Sequence, residues 1–383
     1  MRALLFAASL ALAGLPAAAL AADKPPPPSS VLFWSQAQKE SGFPKMEAHF
    51  PVSTAPRGDR VHALLPGAPL TAPSGLAAFM AEEKTAGILV LQDGKVRLER
   101  YGLGYGPDGR WTSFSVAKSV TSTLVGAALK DGYIKSLDDK VTRYIPGLRG
   151  SAYDQVSVRQ LLTMTSGVRW NEDYTDPKSD VAQLFTVPAD PGLDSTVSYM
   201  RKLPREAAPG AKWVYKTGET NLIGVLVTSA TGKSLSAYLS EKIWKPYGME
   251  QDALWMIDER GQEAGGCCLS MTLRDYGRVG EFLRTGGEGS AGAVLPKGWI
   301  ADATREHAAT GDRFGYGYQW WTEPNGVFNG LGIFGQRLHV DPARKLVVVV
   351  SSAWSEATNP ARSARQDALI AAIAAQLDAE ARP

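Results

Sequence analysis

One stretch, "RWTSFSVAKSVTSTLVGAALKDGYIKSLDD" (residues 110–139), decides the fold and raises the question of chemistry. Its apolar residues, among them Val116, Val120 and Leu124, recur on one face, and a glycine follows the pattern. This spacing predicts a helix from Ser115 to about residue 130. Lys118 lies three residues after Ser115, so both side chains belong to one face of that helix.

A serine hydroxyl is a weak nucleophile until a base removes its proton. Burial lowers the pKa of a lysine because the charged form loses its hydration, so a buried, neutral Lys118 is able to accept the proton of Ser115. The partial positive charge at a helix N-terminus favours a developing anion there. The sequence contains no G-x-S-x-G, which is the motif of a nucleophile elbow. Ser115 is therefore predicted as the nucleophile and Lys118 as its base.

Bulk composition excludes several classes of partner. The 383 residues include 41 basic and 39 acidic side chains, which gives no electrostatic reason to expect a nucleic acid. The adjacent Cys267 and Cys268 are predicted to be small buried residues rather than a disulfide framework. Four scattered histidines show no metal-ligand spacing, so neither a metal nor a cofactor is expected.

The N-terminus has the pattern of a secretory signal. Met1 and Arg2 precede an apolar run, and Ala19-Leu20-Ala21 is a small-x-small cleavage site. Residues 1–21 are predicted to be a cleaved signal peptide, which implies a secreted, periplasmic protein. The run is short for a membrane span, so no stable membrane anchor is expected; an uncleaved anchor is the alternative. Residues 22–74 follow as a proline-rich linker and N-terminal extension.

Residues 75–383 are predicted to form one domain. "TAGILVLQDGKVRLERYG" (85–102) is a hairpin pattern with an Asp93-Gly94 turn. Helical patterns dominate the middle and strand patterns return late: helices at 157–167, 219–232, 234–248, 270–287 and 360–380, strands at 316–321, 332–341 and 345–352. The fold class is therefore α/β (α+β): an antiparallel sheet of N- and C-terminal strands flanked by helices, with a mainly helical region inserted over about 113–270.

Several motifs resemble one family. "SFSVAKS" (113–119), "SLDDKVTRYIP" (136–146) and "VRQLLTMTSGVRWNEDYTDP" (158–177) resemble the serine β-lactamase and penicillin-binding-protein superfamily, in its class C and esterase-like branch. "KIWKPYGMEQDALW" (242–255) and "LRDYGRVGEF" (273–282) are similar to the 6-aminohexanoate-dimer hydrolase group. The resemblance covers most of 75–375. It implies a β-lactamase/transpeptidase-like fold and an acyl-enzyme mechanism, with the site between sheet and helical region.

The resemblance also implies roles for particular residues. Ser115 matches the family nucleophile, Lys118 its paired lysine, and Tyr215 in "WVYKTGETN" the tyrosine that passes a proton to the leaving group. Thr217 stands where many relatives have asparagine. The backbone N–H groups of Ser115 and Ile333 are predicted to form the oxyanion hole.

The family's late-strand motif is altered here. Lys216-Thr217-Gly218 spells KTG but comes too early in the chain and precedes a helix. The late-strand position is matched by "GIFGQ" (332–336), which lacks the charged residue. Recognition of a carboxylate like that of penicillins is therefore disfavoured, and an amide or ester substrate is favoured.

Three aromatic residues are predicted to bind substrate. Tyr174 matches a tyrosine on a substrate-covering loop, with surface packing as the alternative. Trp170 and Trp213 flank the motifs and are predicted to line the cleft, with core packing as the alternative.

The predicted function is an exported serine hydrolase that cleaves small amides or esters. The alternatives are a β-lactamase or D,D-peptidase, and a non-catalytic scaffold that binds penicillin-like ligands. The sequence defines neither the physiological substrate nor the oligomeric state.

Overall fold

The strands form one large antiparallel sheet and two small ones. The computed structural model describes residues 28–382, so the predicted signal peptide lies outside the described residues. The strands are β1 (Val52–Ala55), β2 (Thr85–Gln92), β3 (Lys95–Tyr101), β4 (Trp111–Thr112), β5 (Ala253–Met256), β6 (Leu269–Met271), β7 (Glu288–Gly289), β8 (Gly292–Ala293), β9 (Ala308–Ala309), β10 (Gly315–Tyr316), β11 (Trp321–Thr322), β12 (Phe328–Leu331), β13 (Arg337–Asp341) and β14 (Leu346–Ser352).

The large sheet has the order β3-β2-β14-β13-β12-β11-β10-β9. The N-terminal hairpin thus pairs with the C-terminal strands, with Val90 opposite Val348. This confirms the predicted antiparallel sheet of N- and C-terminal strands. The hairpin turn is also as predicted: Asp93 and Gly94 both have positive φ, 51° and 75°, as a two-residue hairpin of the favoured hand requires.

Helices cover both faces of this sheet and fill the inserted region. They are α1 (Gln36–Gly42), α2 (Leu76–Glu82), α3 (Val116–Lys130), α4 (Val158–Leu162), α5 (Asp180–Gln183), α6 (Ser195–Met200), α7 (Thr217–Thr231), α8 (Leu235–Leu239), α9 (Leu273–Arg284), α10 (Trp299–Ala303) and α11 (Pro360–Glu380), with 3₁₀ helices at Pro28–Phe33, Phe43–Ala48, Val141–Arg143, Pro146–Leu148 and Pro324–Gly326 and a π-helix at Ser240–Gly248.

Successive valine side chains of β14 point to opposite faces of the sheet and so belong to two different hydrophobic cores. Val347 and Val349 belong to the core that contains α9, whereas Val348 and Val350 pack with apolar residues of α11. A strand covered on both faces reads as a continuous apolar run, which is why "LVVVV" carries no polar residue. Each such side chain contributes about 1.5–3 kcal/mol when fully buried.

Several predicted elements are divided or shorter than expected. The strand predicted over 316–321 is two short strands, β10 and β11, joined by a turn in which the Gly317 N–H donates to the Trp320 carbonyl at 2.8 Å. The helix predicted over 157–167 ends at Leu162, because Met164 adopts a left-handed φ of 54° before the expected stop at Gly167. The strand predicted over 332–341 begins only at Arg337. Residues 332–336 form a turn, in which the Gly332 N–H donates to the Gln336 carbonyl at 2.8 Å.

The N-terminal extension is ordered onto the domain. Its strand β1 pairs with β5 in a four-stranded sheet of order β1-β5-β6-β4. Phe43 is fully buried against Trp111 and Phe114. Within residues 28–382 no single helix is long and apolar enough to cross a membrane; Thr217–Thr231 and Leu235–Gly248 reach that length and apolarity only jointly, across a 74° bend.

Candidate active site

The first turn of α3 carries the two residues that the sequence paired. Ser115 is the N-cap residue of this helix and is 8% exposed, whereas Lys118 is 1% exposed. Every residue from Val116 to Ala128 is buried, so the helix lies inside the core and presents its N-terminus to the site. The amine of Lys118 lies 3.0 Å from the hydroxyl oxygen of Ser115.

Two further oxygen atoms surround the Lys118 amine. Its Nζ lies 2.7 Å from the Gly266 carbonyl oxygen and 2.9 Å from Thr217 Oγ1. A carbonyl only accepts hydrogen bonds. Thr217 Oγ1 donates its own proton to Glu172 and so accepts from Lys118. A neutral amine has two N–H groups for these two acceptors, and its lone pair then faces the Ser115 hydroxyl.

Burial gives Lys118 the pKa that such a base needs. Desolvation lowers its pKa from the ordinary 10.5 to about 8, and the negative charge of Glu172 opposes part of that shift. Neutral amine is therefore populated near neutral pH, as general-base catalysis requires.

Tyr215 lies beside this pair. The Lys118 amine is 5.1 Å from the centre of its ring, which stacks on Trp321 with the ring centres 5.5 Å apart. Burial, reinforced by the charge of Glu172, raises the pKa of Tyr215, and a side-chain hydrogen bond with Ser115 opposes the rise. The phenol stays protonated and is held at the nucleophile, where it can pass a proton.

Glu172 is a site residue that sequence reasoning missed. Its carboxylate accepts hydrogen bonds from the Thr217 N–H at 2.9 Å, the Thr217 hydroxyl, the Tyr174 hydroxyl at 2.8 Å and the Trp170 indole N–H. Ser115, Lys118, Thr217 and Glu172 thus form a continuous hydrogen-bonded chain. Glu172 lies two residues before Tyr174, in the motif that resembles the family, but its own spacing does not mark it as a partner of Thr217.

Two backbone N–H groups are available for an oxyanion. Within the described part of the chain, neither the Ser115 N–H nor the Ile333 N–H donates a hydrogen bond. Ile333 lies in the turn before β13 rather than on a strand. Gln336 holds that turn, because its side chain accepts from the Phe334 N–H at 3.2 Å and donates to the Ser352 carbonyl at 2.7 Å.

Two cavities meet at this site. The inner pocket, about 50 Å³, is lined by Ser115, Phe114, Thr217, Ile333, Leu32 and Phe185 among others. The outer cleft, about 890 Å³, is lined by Tyr215, Glu172, Ile333, Trp321 and Gln336 among others. Tyr174 lines both cavities. The outer cleft has the volume of an ordinary small-molecule site.

Trp170 and Trp213, which were predicted to line the cleft, lie behind the residues that line the two cavities. Trp170 is 7% exposed and supports Glu172, and Trp213 packs against Tyr215 and Trp321. The cleft wall is formed by Trp321 instead. Direct contact of Trp170 and Trp213 with substrate stays a prediction.

The prediction for the cysteines was wrong. Cys267 and Cys268 are bonded to each other as a disulfide between neighbours. Cys268 adopts a left-handed φ of 65°, which breaks the alternation that would point consecutive side chains to opposite sides. The pair follows Gly266, the carbonyl partner of Lys118, and Cys267 lines the inner pocket.

The early KTG sequence is not a late-strand motif. Lys216 is fully buried at the start of α7, with its amine 3.6 Å from a carboxylate oxygen of Glu219. Of the three residues, Thr217 alone joins the hydrogen-bonded chain at Ser115.

A serine at a helix N-terminus with a buried lysine one turn later is an arrangement that can activate the serine as a nucleophile. The Beta-lactamase family profile matches residues 76–373, and the chain belongs to that family. It is an enzyme of the β-lactamase-like superfamily of serine hydrolases.

Relatives within the family are hydrolases. The chain is 32% identical to the 6-aminohexanoate-dimer hydrolase of Paenarthrobacter ureafaciens, over 78% of this chain and 80% of that protein. It is 27% identical to a beta-lactamase of Pseudomonas fluorescens over 55% of each chain. A provisionally assigned 6-aminohexanoate-dimer hydrolase structure from Bacillus anthracis superposes with a TM-score of 0.79 at 25% identity, covering 88% of this chain and 94% of that one.

Proposed function

We propose that this protein is an exported serine hydrolase that cleaves small amides or esters through an acyl-enzyme on Ser115. The observation that carries the proposal is the arrangement around the Lys118 amine. Two of its three polar neighbours accept hydrogen bonds, and the third is the hydroxyl of Ser115. Neutral Lys118 is therefore oriented to remove the proton of Ser115 as the serine attacks a carbonyl carbon.

The proposed reaction has two steps. In the first, Ser115 Oγ bonds to the carbonyl carbon, and the serine proton passes to Lys118 and through Tyr215 to the amine or alcohol that departs as its C–N or C–O bond breaks. In the second, water attacks the acyl carbon, one of its protons passes through the same groups back to Ser115 Oγ as the serine–acyl bond breaks, and the carboxylic acid is released. The Ser115 and Ile333 N–H groups stabilise the oxyanion in both steps.

The charges in the outer cleft support an amide or ester rather than a β-lactam or a peptide carboxylate. Arg337 directly follows the late-strand position and lines the outer cleft, but it is 4% exposed and already paired with Asp367. Arg313, the other arginine of the cleft, is more exposed and is paired with the same carboxylate at 2.6 Å. A guanidinium that is buried and paired is not available to a substrate carboxylate. The two candidate activities are those named for two relatives of this chain, the 6-aminohexanoate-dimer hydrolase and the beta-lactamase.

Export is part of the proposal. It rests on the positive start, apolar run and small-x-small site of residues 1–21, with the periplasm as the destination. Intact mass of the protein secreted from its host tests it: a chain that begins at Ala22 supports cleavage, and a full-length cytoplasmic chain contradicts it.

The test of function is a substrate panel on wild type and S115A. The panel contains p-nitrophenyl acetate, the linear 6-aminohexanoate dimer, a cephalosporin and a D-alanyl-D-alanine peptide. Serine-dependent turnover of the ester, with weak or no turnover of the cephalosporin and the peptide, is expected. The dimer tests whether an amide with a six-carbon acyl group is also cleaved. Faster turnover of the cephalosporin or the peptide would overturn the substrate assignment, and turnover that survives in S115A would overturn the mechanism.

A further inference from the structure

The inner pocket has a wall that comes from outside the catalytic domain. Ser29, Val31 and Leu32 belong to the 3₁₀ helix Pro28–Phe33, before the region matched by the family profile. These residues lie on the same small cavity as Ser115. Val31 is 2% exposed, so this helix is packed as part of the core rather than laid on the surface.

Hydrogen bonds hold the segment Pro28–Phe33 and the chain that follows it to two parts of the domain. On one side, Ser29 Oγ lies 3.3 Å from Thr186 Oγ1, just beyond α5. On the other side, the chain that follows is bound near the end of β14: the Gln36 amide donates to the Ala353 carbonyl at 2.9 Å, and the Lys39 amine donates to the Ser355 carbonyl at 2.5 Å. Residues 28–33 are therefore held in place as one wall of the pocket.

The position of Tyr215 decides which part of a substrate enters the inner pocket. Tyr215 lines the outer cleft, so a leaving group that takes its proton lies in that cleft. The carbonyl oxygen points to the Ser115 and Ile333 N–H groups. The remaining substituent of the carbonyl carbon, the acyl chain, is directed away from Tyr215 and into the inner pocket.

The inner pocket is small and mainly apolar. Its volume of about 50 Å³ is far below the roughly 300 Å³ at which ordinary small-molecule sites begin. Val31, Leu32 and Phe185 give it an apolar lining. An acyl group of two or three carbons fits such a space, and a longer chain meets the side chains of residues 31 and 32.

We propose that the segment Pro28–Phe33 closes the acyl side of the site and restricts the enzyme to short, apolar acyl groups, with the larger part of the substrate as the leaving group. The inference rests on the proposed function. Leu32 is the specificity-determining residue to change, since it is partly buried and lines the pocket. Phe33, its neighbour in the same helix, is 49% exposed and provides the matched control.

The experiment measures kcat/KM for p-nitrophenyl acetate, butyrate and octanoate with the full chain as wild type, L32A, L32W and F33A. In L32A, the ratio of octanoate to acetate turnover is expected to rise at least about 10-fold, the size of effect that a methylene or more of pocket space produces. L32W is expected to lower butyrate turnover relative to acetate, and F33A to keep the wild-type ratio. Melting temperatures establish that each variant is folded.

If turnover of the longer ester relative to acetate rises in L32A and falls in L32W, a general loss of structure cannot be the cause of both changes. A wild-type chain-length ratio in both folded variants would overturn this inference while leaving the proposed function intact. Absence of any Ser115-dependent ester or amide hydrolysis by wild type would overturn the proposed function instead.

Discussion

Lys118 Nζ lies 3.0 Å from Ser115 Oγ, one turn apart on a helix that is buried from Val116 to Ala128. Burying an unpaired ammonium is costly, and the nearest carboxylate, Glu172, reaches Lys118 only through Thr217. The fold thus keeps a lysine where its neutral form is far more populated at neutral pH than it is for a lysine in water. This relationship explains why the core contains a lysine, and four predictions follow from the geometry around it.

Replacing Lys118 by methionine is expected to lower kcat/KM by about 10²–10⁴-fold, the usual contribution of a general base. Methionine has a similar volume and needs no hydrogen bond, so the melting temperature should be retained. K130M, at the exposed end of the same helix, is the control and should keep wild-type activity. Wild-type turnover by K118M would show that another group activates Ser115.

The rate should depend on pH through Lys118. Its pKa is lowered to about 8, and the neutral form is the active one, so kcat/KM should rise as pH increases through about 8. The raised pKa of Tyr215 keeps the phenol protonated over this range. A rate that falls over the same interval would contradict the assignment of Lys118 as base.

Glu172 should shift the midpoint of the pH profile, that is, the pH at which kcat/KM reaches half of its maximum. Its charge raises the pKa of Lys118, so E172Q should lower the midpoint. D176N removes a carboxylate from the same loop and should leave the midpoint unchanged. A loss of rate in E172Q with the wild-type midpoint would indicate a purely structural role.

Tyr215 should matter more for amides than for activated esters. An amine leaves only when protonated, whereas p-nitrophenolate leaves readily without a proton. Y215F is therefore expected to lose about 10²–10⁴-fold in kcat/KM on an amide and much less on p-nitrophenyl acetate. Equal losses on both substrates would place the role of Tyr215 in positioning rather than in proton transfer.

The sequence predicted what depends on local spacing. Ser115 and Lys118 are three residues apart on a helix whose apolar face was evident, so their contact follows from helix geometry alone. The hairpin at Asp93-Gly94 and the helix Pro360–Glu380 were found for the same reason. Each of these elements is specified within its own stretch of chain.

Long-range contacts were not predictable in this way. Glu172 joins Thr217 from 45 residues away, and nothing in its own spacing marks it as a site residue. Part of the wall of the inner pocket comes from residues 28–33, which the sequence assigned to the proline-rich linker and N-terminal extension without a role. The turn at Gly332–Gln336 was taken as strand because its composition is apolar, whereas Gln336 fixes it through contacts to β14.

The central claim, that Lys118 activates Ser115, is tested most directly by labelling with a fluorophosphonate followed by intact mass and peptide mapping. The account predicts a single adduct on Ser115 of the folded protein, with a labelling rate that rises through about pH 8, no adduct in S115A, and unchanged labelling in S122A on the same helix. The absence of an adduct on folded wild type, or an adduct that persists in S115A, would contradict it.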